Sequence, residues 1–252
     1  MDLNLTGRNA LVTGSTSGIG AGIAIALARE GATVVVHGRS EARAKSVVEQ
    51  IVEAGGKAHY ALGDLGNDDG ANAVIEQALG AVKKIDILVN NVGGPVEGKV
   101  SFFDTTLGEW ADSYNGNALA AVRMIQGLVP AMKARGWGRV IQITSRNAIS
   151  PHANMPSYGG AKAAMNNFTL GLSKELAFTG VTSNASCLAS SIRSNWITSC
   201  GILRSTKGGA RILKGRRNTY SRIWCGRPSN DWARSTILPT TYATLPVHSA
   251  IS

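Results

Sequence analysis

Short strand-like runs at 10–13, 33–36, 57–62, 85–89, 140–144 and 181–185, most of them apolar, alternate with stretches of helical spacing, and this alternation limits the fold more than any other feature of the 252-residue chain. The runs lack strict polar alternation, as expected of strands buried on both faces. Between them, the stretches 18–30, 41–54, 68–82, 109–135 and 157–178 carry apolar residues three and four apart, for instance Ile19, Ile23, Ala26 and Leu27 in the first. Gly55-Gly56 stands where the second of these helices needs a C-cap. Parallel strands need crossover helices, so the pattern predicts an α/β fold. It is a Rossmann-type, doubly wound parallel sheet flanked by helices in a single domain.

After about Ser186 the alternation stops. The sequence therefore divides into a core at 1–186 and an atypical C-terminal segment at 187–252, which holds all three cysteines and three of the five tryptophans. The net charge of +10 belongs to that segment. Residues 1–180 carry 16 Lys and Arg against 15 Asp and Glu, whereas 181–252 carry 10 against Asp231 alone. A nucleic-acid binder places such charge on a recognisable module with interleaved aromatics, and Arg216, Arg217, Tyr220, Arg222 and Trp224 form none, so nucleic acid is not expected as a partner. No apolar run approaches 18 residues, and Met1-Asp2-Leu3-Asn4 has neither a basic start nor an apolar stretch. A cytoplasmic protein without a membrane partner is expected. Cys187, Cys200 and Cys225 have no metal-ligand or redox spacing, nor do His37, His59, His152 and His248, so no metal site is expected.

The chemistry-bearing residues lie at the ends of the apolar runs. Thr13-Gly14-Ser15-Thr16-Ser17-Gly18-Ile19-Gly20 separates the first run from the first helix. Glycines there permit a tight turn and close approach of a pyrophosphate to a helix N-terminus, which makes Gly14, Ser15, Ser17, Gly18, Ile19 and Gly20 candidate cofactor contacts. Asn90-Asn91-Val92-Gly93 follows the fourth run, Ser145 closes the fifth, and Tyr158-Gly159-Gly160-Ala161-Lys162 opens the last helix, 13 residues after Ser145. Asn117 falls inside the long helix.

These motifs, in this order over residues 5–186, resemble the short-chain dehydrogenase/reductase family, with an overall look nearest to 3-oxoacyl-thioester and carbonyl reductases. The resemblance implies an oxidoreductase moving hydride between nicotinamide and a carbonyl or secondary alcohol, with Asn117, Ser145, Tyr158 and Lys162 as its catalytic residues. Tyr158 and Lys162, four apart, share a helix face. A tyrosine with a pKa of about 10 is a poor acid–base group at neutral pH, and a nearby ammonium favours its phenolate. Ser145 would hold the substrate oxygen, Lys162 would also contact the nicotinamide ribose, and Asn117 would hold a water in the proton relay. Asn91 and Gly93 join the cofactor contacts, as do Tyr158 and Lys162 themselves. Asp64-Leu65 is similar to the family's adenine-contacting pair, although Asp64 is equally readable as a turn carboxylate. His152 and Met155 fall where the family's substrate pocket is walled.

NAD-preferring relatives usually close the second strand with an acid that binds the ribose hydroxyls. Here Gly38 takes that place and Arg39 follows, a cation for a 2′-phosphate or simply a solvated loop arginine. NADP(H) is the expected cofactor, a small carbonyl or alcohol the expected substrate, and a homodimer or homotetramer the expected assembly. A nucleotide-binding regulatory or interaction protein with impaired turnover is the alternative. The resemblance fails after Ala185, where Ser186-Cys187-Leu188-Ala189-Ser190 replaces a pattern close to Val-Ser-Pro-Gly. Codons for Cys-Leu-Ala shifted by one nucleotide can encode Val-Ser-Pro, so 187–252 reads as a frameshifted ending. Resequencing the coding DNA tests this, and no neighbouring frame with a family-like ending would refute it.

Overall fold

Two hydrophobic residues side by side in a strand must face opposite sides of a sheet, and the apolar runs supply such pairs throughout. In the computed structural model, which describes residues 3–95 and 101–188, they form β1 (Asn9–Val12), β2 (Thr33–Gly38), β3 (Lys57–Leu62), β4 (Ile87–Asn90), β5 (Gly138–Ser145) and β6 (Val181–Leu188). Every pairing is parallel, in the order β3-β2-β1-β4-β5-β6. The expected Rossmann-type sheet is therefore present. The reading of 189–252 lies outside the described residues.

Five helices form where the spacing predicts them: α1 (Gly18–Arg29), α2 (Glu41–Glu53), α3 (Asp68–Val82), a long helix after β4, and α6 (Pro156–Glu175). Val12, Val34, Val36, Ile87, Val89 and Ile141 bury against Ile23, Leu27, Val47 and Ile51 of α1 and α2. Leu11, Val35, Leu88 and Val140 bury on the other face with Met124, Leu128 and Met132. Leu11 and Leu88 are wholly inaccessible, and truncation of such a side chain costs about 2–5 kcal/mol.

The long helix differs from its expected form. It begins two residues early, as α4 (Leu107–Tyr114), because Thr106 and Glu109 form a reciprocal capping box. It then passes through a π-helical turn, Asn115–Leu119, before continuing as α5 (Ala120–Ala134). At the other boundaries, α6 stops at Glu175 rather than 178, and Phe178 adopts a positive φ of 65° that no helix continues through. Strand β6 runs three residues past its expected end, pairing Cys187 with Thr144 and Leu188 with Ser145. The sheet thus extends past the expected limit of the core at 186.

Candidate functional site

The chain leaves β1 for β2 and β3 on one side and returns for β4 on the other, so β1 and β4 are parallel neighbours whose following connections leave toward opposite edges of the sheet. That switch point is where open α/β sheets bind ligands. The glycine-rich turn fills one lip. Thr13, 1% exposed, accepts the amide hydrogens of Asn91 and Val92 on its Oγ1 at 2.9 and 3.0 Å. The Asn91 side-chain amide donates back to the carbonyls of Thr13 and Gly14 at 2.9 and 3.0 Å. Turn and β4 exit are thereby locked together. A Cβ on Gly20 would collide with the Gly14 carbonyl and the Asn91 amide, so the start of α1 sits flush on the turn.

Among the expected cofactor contacts, Ser15 is turned inward. Its hydroxyl donates to Val12 O at 2.6 Å and accepts from the His37 amide at 2.9 Å, while its own amide donates to His37 O. Ser15 is the brace of this turn. Ser17, Gly18, Ile19 and Gly20 form the entry to α1, and Ser17 makes no side-chain cap of its own. A helix entry without a side-chain cap leaves its first amides to a ligand or water.

The other lip carries the four expected catalytic residues, and the fold does bring them together. The π-helical turn places Asn117 inward, 3% exposed, its amide donating to Ser113 O at 2.9 Å and Gly94 O at 3.2 Å. Asn117 Oδ1 has no hydrogen-bond partner among the described residues. A Cβ on Gly93 would strike that oxygen and lie 3.2 Å from Lys162 Nζ, so both polar ends flank Gly93. Lys162, 2% exposed, donates to Ile143 O at 3.0 Å, and its ammonium lies 5.8 Å from the Tyr158 ring centre. Ser145 accepts the Asn147 amide at 3.2 Å, which fixes it at the end of β5 beside Tyr158.

Burial pushes the Tyr158 phenol above its ordinary value, hydrogen bonding with Ser145 pulls it down, and charge on Cys187 pushes it up. Lys162 is itself pushed down to about 8 by burial. Desolvation thus acts on both groups in favour of their neutral forms.

Arg39 is exposed at the exit of β2, while Thr16 covers Gly38 so closely that a Cβ there would collide with the Thr16 methyl. Asp64 accepts the Gly66 amide at 3.0 Å as a turn carboxylate, and Leu65 is buried in the core. Arg123 and Asn115 donate to Leu65 O and Gly66 O, tying this turn to the π-helical segment. Met155 is half-buried and His152 exposed between Ser145 and Tyr158. A cleft of about 500 Å³ opens at the opposite, amino-terminal edge of the sheet beside Asn9, Thr33 and Lys57, away from all of these groups. No cluster of three or more His, Cys, Asp or Glu suited to a metal occurs among the described residues. Sequence reasoning missed Thr13, Thr16 and His37. Of these, Thr13 and Thr16 stood inside the glycine-rich motif, whereas His37 stood in none.

The short chain dehydrogenase family model matches residues 8–192. The chain is 36% identical over 186 residues to 3-oxoacyl-(acyl-carrier-protein) reductase FabG of Aquifex aeolicus (strain VF5), covering 73% of this chain and 74% of that one. It is 33% identical over 183 residues to 7alpha-hydroxysteroid dehydrogenase of Escherichia coli (strain K12), covering 73% and 71%. L-sorbose reductase from Gluconobacter frateurii, solved with NADPH and L-sorbose, superposes with a TM-score of 0.70 at 33% identity over 73% of this chain and 70% of that one.

Proposed function

The chain belongs to the short-chain dehydrogenase family and is an oxidoreductase by that membership, and from this premise we propose that it is an NADP(H)-dependent reductase of a small carbonyl compound, or dehydrogenase of the matching secondary alcohol. The observation that carries the proposal is the meeting, at one switch point, of the uncapped α1 entry with Lys162, Asn117, Ser145 and Tyr158. The site's chemistry fits a dinucleotide. Gly20 leaves the turn free of side-chain bulk, Asn117 Oδ1 keeps an unsatisfied acceptor, and Lys162 keeps donors beyond its single bond to Ile143 O.

Amides of Ser17, Gly18, Ile19 and Gly20 would receive the pyrophosphate, with Gly14, Asn91 and Gly93 shaping the floor. Asp64 and Leu65 would border the adenine. The preference for a 2′-phosphate is supported by Arg39 and by Thr16 over Gly38, since a carboxylate side chain at 38 could be seated only by displacing Thr16. The nicotinamide cofactor supplies hydride when bound. In the reducing direction, Ser145 Oγ hydrogen-bonds the substrate oxygen, and Tyr158 Oη gives that oxygen a proton as alkoxide charge develops. Burial keeps the phenol protonated, so the proton to be given stands on Tyr158 Oη, although desolvation alone makes it a weaker acid. Lys162 would hold the ribose hydroxyls, and Asn117 Oδ1 would receive a water that returns a proton to Tyr158 Oη.

Relatives acting on 3-oxoacyl groups, hydroxysteroids and a ketose share this core, so the fold leaves the substrate open. Self-association belongs to the same proposal, as a homodimer or homotetramer, as does a cytoplasmic location. No described helix is long and apolar enough to cross a membrane.

The test is titration of purified protein with NADPH and NADH, followed by absorbance with a panel of ketones, ketoses and 3-oxoacyl thioesters. NADPH oxidation that falls by about 10²–10⁴ in Tyr158→Phe, with NADPH still bound, is the expected result. Tight binding of both cofactors without turnover on any substrate would instead support a nucleotide-binding regulatory protein. Binding of neither would sink both readings.

A further inference from the structure

Resting on the oxidoreductase reading, we propose that His37 is a positioning residue for the adenosine half of the cofactor site, a neutral imidazole that ties the glycine-rich turn to the loop leaving β3. His37 is 2% exposed. Its Nδ1 accepts the Gly14 amide hydrogen at 3.0 Å, and its Nε2 lies 3.2 Å from the Gly63 carbonyl. An amide can only donate and a carbonyl can only accept, so the two partners fix the tautomer: bare Nδ1, protonated Nε2.

The ring connects three segments that must agree if one nucleotide is to lie across them. Gly14 opens the pyrophosphate turn, and Gly63 directly precedes Asp64 and Leu65. His37 itself stands two residues before Arg39, and its backbone is paired in both directions with Ser15. No other described side chain bonds to both Gly14 and Gly63. The charged groups acting on the ring are Asp64, which favours its protonation, and Arg39, which opposes it. Burial outweighs both and lowers the imidazole to about 4, so the bridging tautomer persists at neutral pH. A proton on Nδ1 would set one donor against another.

The experiment compares wild type, His37→Leu and His37→Gln as full-length proteins. It uses calorimetric titration with 2′,5′-ADP, which probes the adenosine half alone, and KM and kcat for NADPH. Leucine leaves the Gly14 amide and Gly63 carbonyl unpaired, whereas glutamine offers one acceptor and one donor at similar reach. The expected result is about tenfold weaker 2′,5′-ADP binding and a similarly raised KM in His37→Leu, with kcat little changed and with rescue by His37→Gln. Side-chain ¹H–¹⁵N correlation spectra of the wild type should show one histidine locked as the Nε2–H tautomer and silent near pH 6. Unchanged binding in His37→Leu, no rescue by glutamine, or an imidazole that titrates at the ordinary value would each overturn the proposal. Should His37→Leu fail to fold, His37→Gln and the tautomer measurement still decide it. A wild type that binds neither 2′,5′-ADP nor NADPH would overturn the NADP(H) reading on which this proposal rests.

Discussion

Around the glycine-rich turn, where it meets the exits of β2 and β4, Thr13, Ser15, His37 and Asn91 close hydrogen bonds inside the protein. On the β4–β5–β6 side, Asn90, Asn117, Gln142, Asn166 and Ser183 keep buried polar atoms without a partner among the described residues. Asn90 and Gln142 even stand side by side in the β4–β5 register, each with both side-chain polar atoms unpaired. An unsatisfied buried group costs about 1–3 kcal/mol, so the first region is a mount closed by protein groups alone, and the second leaves bonding capacity to water or ligand. A mount needs one shape only. A region that handles protons needs groups whose bonding capacity is still available, and such groups weaken the fold that holds them.

Filling the mount should break function most. Gly20→Val drives a branched side chain into the Gly14 carbonyl and the Asn91 amide. NADPH affinity is expected to fall at least 100-fold, read by fluorescence titration. Near-wild-type affinity would mean that the turn is not the rigid element described.

Acid should act on the mount next. His37 protonates near 6.5 when unfolded and at about 4 when folded, so between those values the unfolded chain binds more protons. Stability is therefore complete above about pH 7 and is lost as pH falls toward 4, by about 3 kcal/mol from this residue. Urea denaturation at pH 7 and pH 5 measures it, and His37→Gln should flatten the slope. An equal slope in that variant would assign the acid sensitivity elsewhere.

A matched pair of substitutions sharpens the contrast best, because one chemical change is made on each side. Thr13→Val removes the acceptor of two buried amides and should cost about 2–4 kcal/mol in urea midpoint analysis. Ser183→Ala removes a buried hydroxyl that has no partner among the described residues and should cost under about 1 kcal/mol, or stabilise. Equal costs would erase the distinction between the two regions.

Much of this was legible in the chain. Adjacent apolar pairs such as Leu11 and Val12 announced strands covered on both faces, and the order of motifs announced which strand ends would carry chemistry. The capping box at Thr106 and Glu109 was also written in the sequence, as a Thr followed three residues later by Glu, and would have placed the start of α4 correctly. The π-helical turn at Asn115–Leu119 had no such signal. It is a slip in hydrogen bonding that local spacing does not encode, although the position of Asn117 depends on it. His37 was passed over because lone histidines are judged by ligand spacing, whereas its partners, Gly14 and Gly63, are backbone groups 23 and 26 residues away.

The sequence by itself determined the parallel sheet, the placement of the glycine-rich turn and the residue types available to the site, since these follow from periodicity, chirality of connection and local turn chemistry. Tertiary structure alone decided which polar groups would be spent and which kept. Ser15 faced inward, Tyr158 was pushed toward its protonated form and Lys162 was lowered to about 8, each through burial by strands and helices distant in the chain. Desolvation and hydrogen-bond pairing depend on what surrounds a group in three dimensions, and no local pattern carries that information.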